Sequence, residues 1–106
     1  MEKRQYTRIE LAVSVRATVS NKNESFDGVI DDLSINGMLF KSSKKLQLNE
    51  DLTIEIFPSE DDHRISLKTE GIAVRNVKDG VGICFNKPEH DLFEKFIKIA
   101  LLKMTL

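Results

Sequence analysis

Leu11-Ala12-Val13-Ser14-Val15-Arg16-Ala17-Thr18-Val19 puts an apolar residue at every odd position, with polar or small residues between. Side chains of a strand point to alternate faces, so a period of two held over nine positions reads as a half-buried strand. Asn21-Lys22-Asn23-Glu24-Ser25 supplies a turn, and Phe26 to about Ile30 reads as the antiparallel return. Asp31-Asp32-Leu33-Ser34-Ile35-Asn36-Gly37 then breaks the alternation before Gly37-Met38-Leu39-Phe40-Lys41 resumes it as a third strand.

The same pattern continues downstream. Leu52 to Phe57 alternates and is ended by Pro58 and the acidic loop Ser59-Glu60-Asp61-Asp62, which reads as a solubilising turn. Ile65 to Val77 reads as one long strand or a bent pair, with Gly71 as the natural bend or bulge. Lys78-Asp79-Gly80 is a tight turn into Val81 to Phe85. After Pro88 the period changes: Leu92, Phe93, Phe96, Ile97, Ala100, Leu101 and Met104 recur at spacings of three and four, one face of an amphipathic helix. Pro88, Glu89 and Asp91 suit its first turn, where free N–H groups favour acids.

Short strands at regular spacing are best served by closure, which removes exposed edges. The expected fold is therefore mainly β, a six-stranded antiparallel barrel with a C-terminal α-helix. One domain spans 1–106: a flexible polar segment over 1–10, the barrel over 11–86 and the helix over 88–106. The helix stripe reads as core, while Ile99 and Leu102 lie off it and leave a docking role open.

Composition narrows the functional classes. The 106 residues are 41% hydrophobic and 31% charged, and 16 Lys and Arg against 17 Asp and Glu give a net charge of −1. That balance argues against a nucleic acid polymer as partner, which calls for a basic surface. No apolar run approaches the roughly 20 residues of a membrane span. The start Met1-Glu2-Lys3-Arg4 has no apolar stretch of a secretory leader, so a cytoplasmic location is expected. The single cysteine, Cys84, reads as buried and inert within its apolar strand, and His63 and His90 as solvent-exposed. No paired catalytic carboxylates, phosphate-binding loop or metal-ligand cluster emerges, so neither an enzyme nor a metal or cofactor site is expected. Asp32-x-Ser34-x-Asn36-Gly37 matches the opening of a calcium loop, but its twelfth position is Ser43 where a bidentate Glu is required.

Two short motifs remain. Arg4-Gln5-Tyr6-Thr7-Arg8 is an R-x-x-x-R placed before the first strand, and Asp32-Leu33-Ser34-Ile35-Asn36-Gly37 is a D-x-S-x-x-G. In this order, on this strand pattern, they resemble the PilZ domain family, as does the late strand Gly80-Val81-Gly82-Ile83-Cys84-Phe85. The resemblance runs from Lys3 to the terminal helix. It implies a receptor for the bacterial second messenger cyclic di-GMP, with Arg4 and Arg8 holding phosphate and guanine and with Asp32, Ser34 and Gly37 forming the opposing surface.

The chemistry of these residues fits such a ligand. A guanidinium presents a planar donor fork that pairs with phosphate or with the guanine O6/N7 edge, and it also stacks on a purine. A carboxylate such as Asp32 accepts from the guanine Watson–Crick donors, and the Ser34 hydroxyl both donates and accepts. Gly37 lets the backbone turn and a ligand come close. A polar segment carrying Arg4 and Arg8 would be ordered by the ligand, a switch read by a downstream protein partner. The alternative is a small barrel that contacts a protein without binding nucleotide. Either a monomer or a weak homodimer is compatible with the sequence, and Lys3, Gln5 and Tyr6 take no assigned role.

Overall fold

The structure, a computed structural model, describes residues 8–59 and 62–104, with side chains over 15–59 and 62–99. Six strands, β1 (Arg8–Ser20), β2 (Ser25–Ser34), β3 (Gly37–Lys41), β4 (Asp51–Phe57), β5 (Leu67–Val77) and β6 (Gly80–Phe85), precede one helix, α1 (His90–Met104). They form a closed antiparallel barrel in the order β1-β2-β3-β6-β5-β4. The closing seam pairs Arg16–Ser20 of β1 with Thr53–Phe57 of β4.

The barrel interior follows from the alternation. Val15, Ala17 and Val19 of β1 and Leu52, Ile54 and Ile56 of β4 are buried, as are Phe40 of β3 and Val81, Ile83 and Phe85 of β6. Leu92 and Phe96 of α1 join the same cluster, with Phe93 packed partly against it. Fully burying one such side chain contributes about 1.5–3 kcal/mol. The helix is tied down at its start by Glu89. Its N–H donates to the Ile35 carbonyl at 2.8 Å, its carbonyl accepts from Phe93 N–H at 3.0 Å, and its carboxylate accepts from the buried Thr69 hydroxyl at 2.6 Å. Side chains of the expected stripe residues Ala100, Leu101 and Met104 lie outside the described set.

Several boundaries differ from the alternation. β1 begins at Arg8 rather than Leu11, because Arg8, Ile9 and Glu10 already pair with β2. β2 does not stop near Ile30 but runs on to Ser34. The break in its alternation is a β-bulge: Ile30 pairs with Phe40 and Asp32 with Leu39, which leaves Asp31 as the extra residue. Before the bulge Phe26 and Ile30 are buried; after it Leu33 is. β1 is irregular over the same stretch, since Glu10 pairs with Asp32 and Val15 with Ile30.

β5 is a single strand, and its irregularity falls at Val74 rather than Gly71. Ala73 pairs with Ile83 and Arg75 with Gly82, whereas Gly71 keeps regular pairing with Leu52 and Phe85. The tight turn into β6 is Lys78-Asp79, with Asp79 at φ 66°, and the helix begins at His90 rather than at Pro88. In the acidic loop Asp62 accepts from Arg64 Nε at 2.9 Å and from the Arg64 backbone N–H at 3.0 Å. The side-chain bond first, and the backbone bond after it, hold the Asp62 carboxyl below its usual range.

Candidate functional site

The Asp31 bulge decides which way the D-x-S-x-x-G stretch faces. With Leu33 turned into the core, Asp32 and Ser34 belong to the outer side of the barrel wall. Ser34 is nonetheless only 8% exposed, because its hydroxyl is held in the turn that follows. It donates to the Gly37 carbonyl at 3.4 Å and accepts from Asn36 N–H at 3.3 Å, closing the Ile35-Asn36 connection from β2 to β3. Two backbone bonds fix this turn from the other side. The Asn36 carbonyl accepts from Phe85 N–H at 2.8 Å, and the Ile35 carbonyl accepts from Glu89.

Gly37 is required for a reason other than the expected sharp turn. Among the described residues no glycine has a positive φ. A Cβ at Gly37 would instead lie 2.2 Å from the Ile83 carbonyl oxygen, so close approach of β3 to β6 is what excludes a side chain.

These residues line a cleft of about 230 Å³ on the barrel exterior. One wall carries Asp32, Ser34 and Gly37, and the far wall carries Val74 and Arg75 of β5, with Cys84 of β6 between them. Cys84 is exposed, not buried: in β6 Val81, Ile83 and Phe85 take the inward positions, which turns the residue between the last two outward. Its thiol lies 3.6 Å from the Phe85 carbonyl. His63 and His90 are both exposed. A larger hollow, about 620 Å³ around Thr53, Lys68 and Glu89, gathers none of the motif residues.

Of the expected site residues, Asp32, Ser34 and Gly37 are thus brought together. Arg4 lies outside the described residues, as do Lys3, Gln5 and Tyr6. Arg8 is described by its backbone, which pairs with Ser34 at the first position of the β1–β2 ladder. The sequence reading missed Val74 and Arg75, whose outward placement depends on the β5 bulge; the only trace is an apolar run, Ile72-Ala73-Val74, where alternation should place a polar residue. Among the described residues no group of three His, Cys, Asp or Glu is placed to hold a metal ion. No helix there is long and apolar enough to cross a membrane.

Comparison with known proteins agrees with this architecture. The PilZ domain family model matches residues 2–100, and the chain belongs to that family. Its fold is similar to the PilZ domain of YcgR from Escherichia coli, solved with c-di-GMP, at a TM-score of 0.70 and 15% identity over 94% of this chain and 90% of that one. It is also similar to the Bacillus subtilis inhibitor of motility MotI/DgrA, at a TM-score of 0.69 and 15% identity over 99% of this chain. This chain spans 53% of the MotI/DgrA chain. The PilZ domain of CeSA from a cellulose-synthesizing bacterium matches at a TM-score of 0.63 and 17% identity, over 90% of this chain and 95% of that one. A search of curated proteins finds no match.

Proposed function

We propose that this protein is a cyclic di-GMP receptor that signals through a protein partner and has no catalytic activity of its own. The observation that carries the reading is the pairing of Arg8 with Ser34, which sets the end of the R-x-x-x-R beside the D-x-S-x-x-G wall of the cleft. The YcgR PilZ domain solved with c-di-GMP supports the ligand. In this reading the guanidinium groups of Arg4 and Arg8 take phosphate and guanine, Asp32 accepts from the guanine Watson–Crick donors, and the Ser34 hydroxyl adds a further polar contact.

The cleft size supports a site with two parts. At about 230 Å³ it is smaller than the roughly 300–1,000 Å³ of common ligand pockets. The N-terminal segment over 1–10 then completes the enclosure, closing on the nucleotide and changing the surface offered to a partner in the cytoplasm, with the chain acting as a monomer or weak homodimer. Calorimetric titration with cyclic di-GMP, beside Arg8→Ala and a cyclic di-AMP control, tests this. Saturable binding is expected, lost in the variant and weaker for the adenine ligand. Absence of binding at about 100 μM ligand, near −5.5 kcal/mol, would leave a nucleotide-independent interaction module in its place.

A further inference from the structure

The outer wall of the barrel carries a second organised surface, beyond the cleft. One rung of paired residues crosses β3, β2, β1 and β4: Lys41 pairs with Val29, Val29 with Arg16 and Arg16 with Phe57. Three strand spacings separate its ends, about 14 Å along the surface. All four residues point outward, because their neighbours Phe40, Ile30, Ala17 and Ile56 take the inward positions. Along β2 the Asp31 bulge lies between this rung and the cleft.

The rung alternates cation and apolar side chain. The Arg16 guanidinium carbon lies 5.9 Å from the centre of the Phe57 ring, and His63 meets the same ring edge-to-face at a centroid distance of 6.4 Å. Arg16 is exposed, while Val29 and Phe57 are half-buried. A guanidinium stacked on a ring keeps the donors along its edge for an acid. Among the described residues neither Arg16 nor Lys41 has a carboxylate within ion-pair distance. The carboxylates of the next rung are engaged: Asp27 accepts from the Thr18 hydroxyl at 2.8 Å, and Glu55 lies 4.0 Å from Lys68 Nζ. Asp31 is the exposed acid at the border with the cleft.

From this geometry we infer that the rung is the docking surface for the protein partner, and that an acidic segment with apolar side chains docks there. The inference rests on the part of the proposed function that supplies a protein partner, and it adds the surface and its chemistry. Arginine and aromatic side chains are the types that dominate the centres of protein interfaces. One partner carboxylate pairs with the edge of Arg16 and another with Lys41. An apolar side chain between them covers Val29 and the free part of Phe57. Two cations beside an acid-bearing rung are too few for a nucleic acid or a lipid surface, which reward dense positive charge.

The probe is a short synthetic peptide of alternating Glu and Leu with one central Trp, titrated into the isotope-labelled full chain and followed by NMR. The amide signals of Arg16, Val29 and Phe57 should move, and a peptide with Lys in place of Glu should leave them unmoved. Arg16→Glu should weaken the acidic peptide about 30-fold or more, the loss of a central interface anchor. Arg16 is exposed, so that variant should keep the wild-type thermal midpoint and the wild-type affinity for cyclic di-GMP. Equal response to both peptides, unchanged peptide binding in Arg16→Glu, or signals that move only elsewhere would each overturn the docking surface and leave the receptor reading intact. Loss of cyclic di-GMP affinity in Arg16→Glu would overturn it by assigning the rung to the nucleotide. A concentration-dependent dimer that Arg16→Glu abolishes, with no peptide bound, would overturn it in favour of a second copy. No cyclic di-GMP binding by the wild type would remove the receptor reading alone, since the peptide result needs no nucleotide.

Discussion

Arg8 and Ser34 face each other across the β1–β2 ladder, one at the first position of β1 and the other at the last of β2. Two motifs separated by more than twenty residues in the sequence are thereby joined by backbone pairing. The turn at Asn21–Glu24 sets the register from Ser20–Ser25 to Val15–Ile30, and the irregularity between Glu10 and Val15 shifts it by three residues, which is what brings Arg8 opposite Ser34.

Arg8→Lys is the informative change at this position. It keeps the charge and removes the fork, so a point-charge contact would survive and a bidentate one would not. Cyclic di-GMP binding should fall by more than about tenfold in Arg8→Lys, and Arg8→Ala should lose roughly 2–5 kcal/mol, both read by calorimetry. Equal affinity in wild type and Arg8→Lys would mean that only charge matters there.

Gly37→Ala forces a Cβ to within 2.2 Å of the Ile83 carbonyl oxygen, an atom of the ladder itself. Backbone must move, and a loss of roughly 1–3 kcal/mol is expected by analogy with overpacked cores. Urea unfolding measures it. An unchanged midpoint would show that β3 and β6 can separate at that point without penalty.

Cys84 gives a direct view of the cleft. Its thiol is exposed and is the chain's only cysteine, so a disulfide-exchange reagent should titrate one thiol in the native protein without denaturant. Saturating cyclic di-GMP should slow that reaction several-fold by covering the cleft. Unreactive thiol in the free protein would contradict the outward placement, and an unaltered rate with ligand bound would put the nucleotide elsewhere.

Phe96 anchors the helix at 1% exposure. Phe96→Ala should destabilise the fold by about 3–5 kcal/mol, measured by denaturant unfolding. A change below about 1 kcal/mol would mean that α1 is peripheral to the cooperative unit.

The sequence made the regular parts of this barrel legible and hid the irregular ones. β1 and β4 alternate cleanly because each has a wet and a dry face, and their readings needed only the parity of Val15, Val19, Ile54 and Ile56. Bulges defeat that method. At Asp31 the extra residue looked like the end of a strand, and in β5 the bulge was expected at Gly71 whereas the extra residue is Val74. Cys84 was misread although the signal was present, since the inward positions of Ile83 and Phe85 themselves require the residue between them to face out. The motif residues Asp32, Ser34 and Gly37 stood out by type. Arg75 did not, because an exposed arginine at a strand end is ordinary until the cross-strand glycine beneath it is known.

The extra residue at Asp31 also has a consequence for how this chain tolerates change in length. Strand parity has only two values, so removing Asp31 turns the three-residue step from Ile30 to Leu33 into a two-residue step and restores plain alternation, with the pairs Ile30–Phe40 and Asp32–Leu39 kept. Leu33 would stay in the core and Asp32 and Ser34 on the outer side, so what such a deletion removes is the local bend and extra twist of the strand. The face on which this protein presents its cleft therefore survives the loss of that residue. Near Asp31, a single deletion straightens the strand and changes the aim of the site, not the side of the wall on which it lies.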